Sequence, residues 1–437
     1  MTSPHADRRS SALLTDHYEL TMLQGALRSG TAHRRCVFEV FSRRLPEGRR
    51  YGVVAGTGRL LEELTRFRFG EAEIAELAAK GVVDAATLDW LAGHRFGGSV
   101  WGYGEGECFV PGSPVLVVEG TFAEAVLLET LVLSILNHDS AVAAAASRMV
   151  SAAHGRPCVE MGSRRTHEEA AVASARAAYV AGFGATSNLE AGRRYAIPTM
   201  GTAAHAFTLL HDDERAAFAA QVAALGPGTT LLVDTYDVSR GVRTAIEVAG
   251  RELGAVRLDS GDLLEQAYAV RELLDSVGAD KTRIVVTSDL DEHAIAALAA
   301  APVDSYGVGT CLVTGSGAPT AGFVYKLVSR EGAGGQLVRV AKASQDKASV
   351  GGRKWALRRR GPDGVAEAEV IGISHLPAGN GNGRPLLVAL VREGEVVGAE
   401  PVLAARQRHA ASLAELPATA RQLSRGEPAL PTVWEGR

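Results

Sequence analysis

Residues 255–310 read AVRLDSGDLLEQAYAVRELLDSVGADKTRIVVTSDLDEHAIAALAAAPVDSYGVGT. Short apolar runs at Ala255–Leu258, Arg283–Thr287 and Asp304–Val308 each lead into polar or glycine-bearing residues, and amphipathic helical stretches separate them. A strand, a polar motif and a helix, repeated, make the β/α unit, whose parallel strands are joined by right-handed crossovers. Further back along the chain the same pattern predicts strands near Cys158–Met161, Gly184–Thr186, Pro198–Met200 and Thr230–Val233. Around seven such units predict a (β/α) barrel of irregular form. An open doubly wound sheet is the alternative that the pattern alone leaves.

The repeat belongs to a zone spanning residues 121–322. It opens at Thr121, where Glu124 stands three residues on as in a capping box, and two alanine- and leucine-rich helices follow to about Ala153. The zone before it, residues 1–120, predicts a helix within Leu13–Arg28, with Thr15 or Asp16 as N-cap. After that helix come a strand alternating through CVFEVFSRRLP and consecutive strands in SVWGYGEGECFVPGSPVLVVEG. Gly102, Gly104 and Gly106 in the latter read as a turn or bulge rather than a phosphate loop. The zone after it, residues 323–437, predicts a hairpin from FVYKLVSRE and QLVRVAK, the loop HLPAGNGNGRP, and a last helix over Arg406–Leu416.

A net charge of −4 carries no basic excess of the kind a nucleic-acid binder shows. Cys36, Cys108, Cys158 and Cys311 are scattered without a C-x-x-C pair, which argues against a disulfide framework or a thiolate zinc site and for a reducing compartment. The opening MTSPHADRRS lacks the apolar core of a signal peptide. The richest apolar stretch, AEAVLLETLVLSIL, carries Glu124 and Glu129 and is too short to span a bilayer. A soluble cytoplasmic protein, with neither nucleic-acid nor membrane partner, is the expectation.

In a barrel the functional side chains lie just after each strand. Those positions here hold EMGSRRTHEE from Glu160, MGTAAH from Met200, DTYD from Asp234, RLDSGD from Arg257, TSD from Thr287 and GVGT from Gly307. Arginines, aspartates and a histidine at nearly every strand end point to a highly phosphorylated ligand with a metal. Gly307 and Gly309 allow close backbone approach to a phosphate and Thr310 adds a donor, the plainer reading being a turn. Arg164 and Arg165 suit bidentate pairing with phosphate or carboxylate; the alternative is surface pairing with Glu168 and Glu169. Among the aspartates, Asp234 and Asp259 are the candidates to hold Mg²⁺ through water or to accept from ribose, whereas Asp237 and Asp262 read as helix caps. Asp289 also falls at a strand end. His205, after Gly201 and Thr202, is a candidate nucleophile toward a phosphoryl group, while His17 and His167 neighbour other motifs and orient them.

In order, LLTDHYELTMLQGALRSG, FEVFSRRLPEGRRYGVVAGTGRLLEEL, EMGSRRTHEEA, GFGATSNLEAGRRYAIPTMGTAAHAF, VRLDSGDL, VGTCLVTG and FVYKLV resemble the nicotinate phosphoribosyltransferases, of the type close to the actinobacterial enzymes. The resemblance covers most of the chain and is weakest over the last eighty or so residues. It implies an α/β fold, an irregular (β/α) barrel with a flanking α/β sandwich built from both chain ends. It also implies a homodimer with shared active sites. The activity implied is condensation of nicotinate with phosphoribosyl pyrophosphate, driven by ATP through a phosphorylated histidine. That histidine falls on His205, with Thr202 near the substrate. Tyr18 matches a tyrosine from the neighbouring subunit that packs on the nicotinate ring. Arg257, in the motif that also holds Ser260, matches an arginine contacting nicotinate, and Thr310 a residue holding the sugar phosphate. The sequence departs from the family at Ala206, where Ser or Glu is usual, and at His17, where Leu or Lys is more common.

Three rivals are weaker. A related enzyme acting on quinolinate would have no use for the GTAAH motif, and an acidic group opposite the substrate, which the sequence alone does not place, would favour nicotinamide. A non-catalytic paralogue is at odds with nearly complete motifs. An aldolase-like barrel needs a strand-end lysine, and the one lysine near a motif, Lys326, falls in the hairpin.

Overall fold

The computed structural model describes residues 10–342, 349–379 and 381–436. Residues 1–9 of the polar opening, and Asn380 of the loop HLPAGNGNGRP, lie outside the described residues. The chain divides into two compact units, Val142–Pro319 and Met1–Ala141 together with Thr320–Arg437.

Within Val142–Pro319 six parallel strands form one curled sheet. Their order is Ala185–Thr186, Cys158–Glu160, Ser305–Val308, Arg283–Val286, Ala255–Leu258 and Thr230–Leu232. Every neighbour in the sheet is a neighbour in the chain, except that the last strand pairs with the first through Tyr306 opposite Cys158. An open doubly wound sheet reverses its strand order at a switch point. Pairing of last strand with first is instead how a barrel closes, so the irregular barrel is the form this unit takes. Among the described residues the ring stays open between Thr199 and Thr230. The expected strand at Pro198–Met200 is reduced to a bridge, Thr199 beside Thr186. Thr186 donates to the Pro198 carbonyl and accepts from the Met200 N–H, each at 3.0 Å, and Pro198 has no N–H to extend the ladder. Beyond it the chain turns into helices His205–Leu210 and Glu214–Leu225. Leu231, Val256, Leu258, Ile284, Val286, Tyr306 and Val308 are buried, as strands covered by crossover helices must be.

The other unit interleaves the two ends of the chain. Its seven-stranded antiparallel sheet runs Leu337–Arg339, Phe323–Glu331, Arg35–Ser42, Leu116–Thr121, Ser99–Tyr103, Leu387–Arg392, Glu395–Val396. A second sheet runs Arg384–Pro385, Lys354–Arg360, Ala366–Ile373, Thr432–Glu435. The expected hairpin forms, with Ser329 opposite Arg339. Thr121 and Glu124 form the expected capping box. Asp16 occupies the N-cap position of helix His17–Arg28 but its side chain makes no capping bond, and the Thr15 hydroxyl donates to Glu19. The last helix, Val402–Glu415, begins a turn earlier than the apolar pattern suggests.

Arg35–Ser42 differs from a half-exposed alternating strand, since every residue after Arg35 is buried. Its polar member, Glu39, is reconciled to burial by Lys354 Nζ at 2.7 Å. A larger buried charge cluster centres on Arg358, which is inaccessible to solvent and donates to Glu369 at 3.0 Å, Glu107 at 3.3 Å and the Cys108 carbonyl at 2.7 Å. Burial opposes the charge on Glu107, but Arg384 and Arg358 outweigh it and hold that carboxyl below its ordinary value. A depressed carboxyl stabilises above the unfolded carboxylate range and loses that contribution as pH falls through the folded value. Removing one partner of a buried ion cluster leaves the others uncompensated, typically costing about 3–5 kcal/mol. Arg358→Met is therefore expected to lower the urea midpoint at pH 7 strongly, and by a smaller margin near pH 3. An equal drop at both values would mean that the cluster is not the source.

Candidate functional site

Strand alternation sends Val256 and Leu258 to one face and Arg257 to the other. The guanidinium of Arg257, 12% exposed, there reaches two other chain segments and its near neighbour Asp259. Nε donates to Thr287 Oγ1 at 3.0 Å. Nη1 donates to Thr202 Oγ1 at 2.9 Å and the Ala203 carbonyl at 3.1 Å, and Nη2 to Asp259 Oδ1 at 2.9 Å. Four of its five N–H groups are thereby engaged. Thr287 was not among the residues given a role from the sequence. Its place directly after a strand, in TSD, is the signal that marks it.

His205 is the first residue of its helix, held at Nδ1 by the Thr235 hydroxyl at 3.2 Å. Its Nε2 lies 3.9 Å from Asp234 Oδ1 and 3.8 Å from Asp259 Oδ2. Each carboxylate is fixed through its other oxygen. Asp234 Oδ2 accepts from the Asp259 N–H at 2.7 Å and from Ser260 Oγ at 3.2 Å, whereas Asp259 Oδ1 accepts from Arg257 and Thr287. Asp234 Oδ1 is buried and has no hydrogen-bond partner among the described residues. Burial raises the Asp259 carboxyl, yet Thr287, Arg257 and His205 together hold it below its usual value. The result is an imidazole, 39% exposed, braced at one nitrogen and facing two carboxylate oxygens at the other. Such a ring can take up a phosphoryl group or carry a proton. Asp237 and Asp262 serve differently: as the N-caps of their helices they accept one and two backbone N–H groups respectively.

Beside this cluster an open cleft of about 640 Å³, counted to its mouth, brings together Arg164, Arg165, Arg257, Asp259, Gly307, Gly309 and Thr310. Met161, Ser288 and Asp289 share its wall. His205, Asp234 and Thr202 join it through their contacts with Arg257 and Asp259, and Ser260 through Asp234. The side chains of Arg164 and Arg165 make no hydrogen bond or ion pair among the described residues. Glu169 is held instead by Arg194, at 2.8 and 3.0 Å, and Glu168 stands 3.7 Å from His167. Two exposed, uncommitted guanidinium groups in a cleft make a receptor for phosphate or carboxylate. Thr310 opens a short helix and approaches Asp289 at 3.4 Å. A Cβ on Gly307 would fall 2.6 Å from Thr287 and 2.7 Å from Met161, so only glycine fits there. Tyr18 belongs to the other compact unit, where it is half-exposed near the start of helix His17–Arg28. Burial, then the Glu129 and Glu19 carboxylates, push its phenol up to about 12.

Among the described residues no three His, Cys, Asp or Glu side chains converge as a direct metal-ligand set, and no helix is long and apolar enough to cross a membrane. The four cysteines are free thiols.

Residues 13–137 match the family model described as the nicotinate phosphoribosyltransferase (NAPRTase) N-terminal domain. A nicotinate phosphoribosyltransferase of Mycobacterium tuberculosis is 60% identical over 97% of this chain and 95% of its own length. One from Bacillus subtilis is 38% identical over 80% of this chain and 73% of its own. The crystal structure of the human nicotinic acid phosphoribosyltransferase superposes with a TM-score of 0.83, at 27% identity, over 96% of this chain and 97% of that one.

One backbone feature of the cleft can be tested by itself. Ser288 has φ 128°, a region that side chains rarely adopt. Strain of this kind costs about 1–3 kcal/mol, more than the roughly 0.5–1 kcal/mol of chain entropy that glycine forfeits. Ser288→Gly is expected to stabilise the protein by about 1 kcal/mol, read as a higher melting temperature. A lower one would show that the serine hydroxyl contributes more than the strain removes.

Proposed function

The chain belongs to the nicotinate phosphoribosyltransferase family, and we propose that it condenses nicotinate with phosphoribosyl pyrophosphate, releasing nicotinate mononucleotide and pyrophosphate. ATP hydrolysis is coupled to the transfer through phosphorylation of His205, and the reaction serves NAD salvage in the cytoplasm. The observation that carries this reading is the pair of uncommitted guanidinium groups, Arg164 and Arg165, in the same cleft as the GVGT turn and Arg257.

The substrates are anions. Arg164, Arg165, Thr310 and the backbone at Gly307 and Gly309 receive the phosphoribosyl pyrophosphate. Arg257 has one N–H left for the nicotinate carboxylate, with Arg165 beside it for a bidentate pair. The pyridine nitrogen carries no proton, so no base is needed when it attacks C1 of the ribose. Positioning and charge neutralisation then carry the catalysis. Asp234 Oδ1, buried and unpartnered, and Asp259 Oδ2 are hard oxygen donors suited to holding Mg²⁺ through water, where the ion would offset charge on the leaving pyrophosphate. Thr235 and the two carboxylates orient the His205 ring for phosphorylation, and Thr202 and Ser260 line the approach. The exposed Leu14, Tyr18 and Met22 suit a homodimer in which Tyr18 of the partner subunit stacks on nicotinate.

Product formation from nicotinate, nicotinamide and quinolinate, each with phosphoribosyl pyrophosphate and Mg²⁺ and with or without ATP, tests the reading. Nicotinate alone should yield mononucleotide, faster with ATP, and His205→Ala should lose the ATP stimulation while keeping the fold. Better use of another pyridine, or full ATP stimulation in His205→Ala, would contradict it. Arg257→Ala is expected to raise the apparent KM for nicotinate at least tenfold, as the loss of a charge-assisted contact does. An unchanged KM would remove its role.

A further inference from the structure

The positions of Arg164 and Arg165 are set by backbone alone, because their side chains have no partner among the described residues. What fixes that backbone is a chain of buried and partly buried hydrogen bonds outside the cleft wall. Glu160 ends the first barrel strand and is fully buried, and among the described residues no Arg, Lys or His is its hydrogen-bond or ion-pair partner. One of its oxygens accepts from the Gly162 N–H and the other from the Thr186 hydroxyl. The Ser187 N–H donates to the Glu160 carbonyl at 2.8 Å. Thr186 Oγ1 also accepts from the Asn188 N–H at 2.9 Å, and the Asn188 side-chain amide donates to Ser163 Oγ at 3.0 Å. Residues 160 and 163 are thus tied directly to residues 186–188, and Gly162 to them through the Glu160 carboxylate, immediately before the two arginines. On the opposite side there is no slack. A Cβ on Gly162 would lie 2.3 Å from Val313 Cγ1 and 3.1 Å from the Gly309 carbonyl, so the loop is pressed against the GVGT turn and its helix.

Burying an unpaired carboxylate is costly, and burial does raise the Glu160 carboxyl against the bonds from Thr186 and Gly162. An apolar residue would serve a strand end better if packing were its only task. We infer that Glu160 and Thr186 are positioning residues for substrate binding: they clamp the loop so that Arg164 and Arg165 stand at a fixed distance from the GVGT turn. The inference rests on the proposed role of those arginines in receiving phosphoribosyl pyrophosphate.

Thr186→Val keeps the shape of the side chain and deletes both hydroxyl bonds, Thr186→Ser keeps the bonds, and Glu160→Gln puts a donor where one of two acceptors is needed. In the full-length protein, with nicotinate, ATP and Mg²⁺ saturating, Thr186→Val should raise the KM for phosphoribosyl pyrophosphate roughly tenfold. Its kcat should change by less than about twofold, and Thr186→Ser should restore the KM. Glu160→Gln should repeat the pattern, and supplies the test if Thr186→Val does not fold. In an Arg164→Ala, Arg165→Ala background neither substitution should raise the KM further, because the effect passes through the arginines. A rise of equal size in both backgrounds, or a loss of kcat at unchanged KM, would overturn the positioning role and leave the arginines' role standing. Unchanged constants in the double-alanine variant itself would overturn both.

Discussion

The Arg257 guanidinium holds the barrel unit's cleft together. A parallel barrel normally fixes its strand ends through the ladders between neighbours, but here the ring is open between Thr199 and Thr230. Residues leading to His205 therefore lack sheet partners on one side. Arg257 replaces them, gripping Thr202 and Ala203 with one nitrogen while its others fix Thr287 and Asp259. Being largely desolvated, these charge-assisted bonds are stronger than exposed ones would be. The gap is useful as well as tolerated, because it leaves the imidazole of His205 accessible at the start of its helix.

From that fixed point the carboxylates divide their work. Asp237 and Asp262 spend their oxygens on helix N-termini, as local structure demands. Asp234 and Asp259 each commit one oxygen to the protein and leave the other facing His205. A buried carboxylate oxygen without a donor, as at Asp234, costs stability unless something else occupies its field.

Much of this was legible in the sequence because strands in a parallel sheet are short, apolar and followed by polar residues. All seven expected strand positions lie at sheet positions, although Pro198–Met200 contributes only a bridge, since a proline and a two-residue partner leave little ladder to form. The clustering of Arg164, Arg165, Arg257, Asp259 and the GVGT glycines in one cleft follows from their common place after strands. What the sequence does not disclose is which groups are already spoken for. That Glu169 pairs with Arg194, freeing the two arginines, depends on a contact 25 residues away. Ser288 looks like an ordinary turn residue, and its positive φ appears only in three dimensions. Glu160 falls at a strand end, where it opens a polar motif, but nothing in its neighbours Val159 and Met161 shows that it is buried against Thr186.

The proposed coupling requires that ATP phosphorylate the braced imidazole of His205 and that water hydrolyse the phosphohistidine as phosphoribosyl transfer completes. The most direct measurement is rapid quenching of the protein with γ-labelled ATP, followed by mapping of the label. Acid-labile, base-stable phosphate on His205, released when nicotinate and phosphoribosyl pyrophosphate are added, is the predicted result. Label on another residue, or ATP hydrolysis with no phosphoenzyme at any quench time, would contradict it.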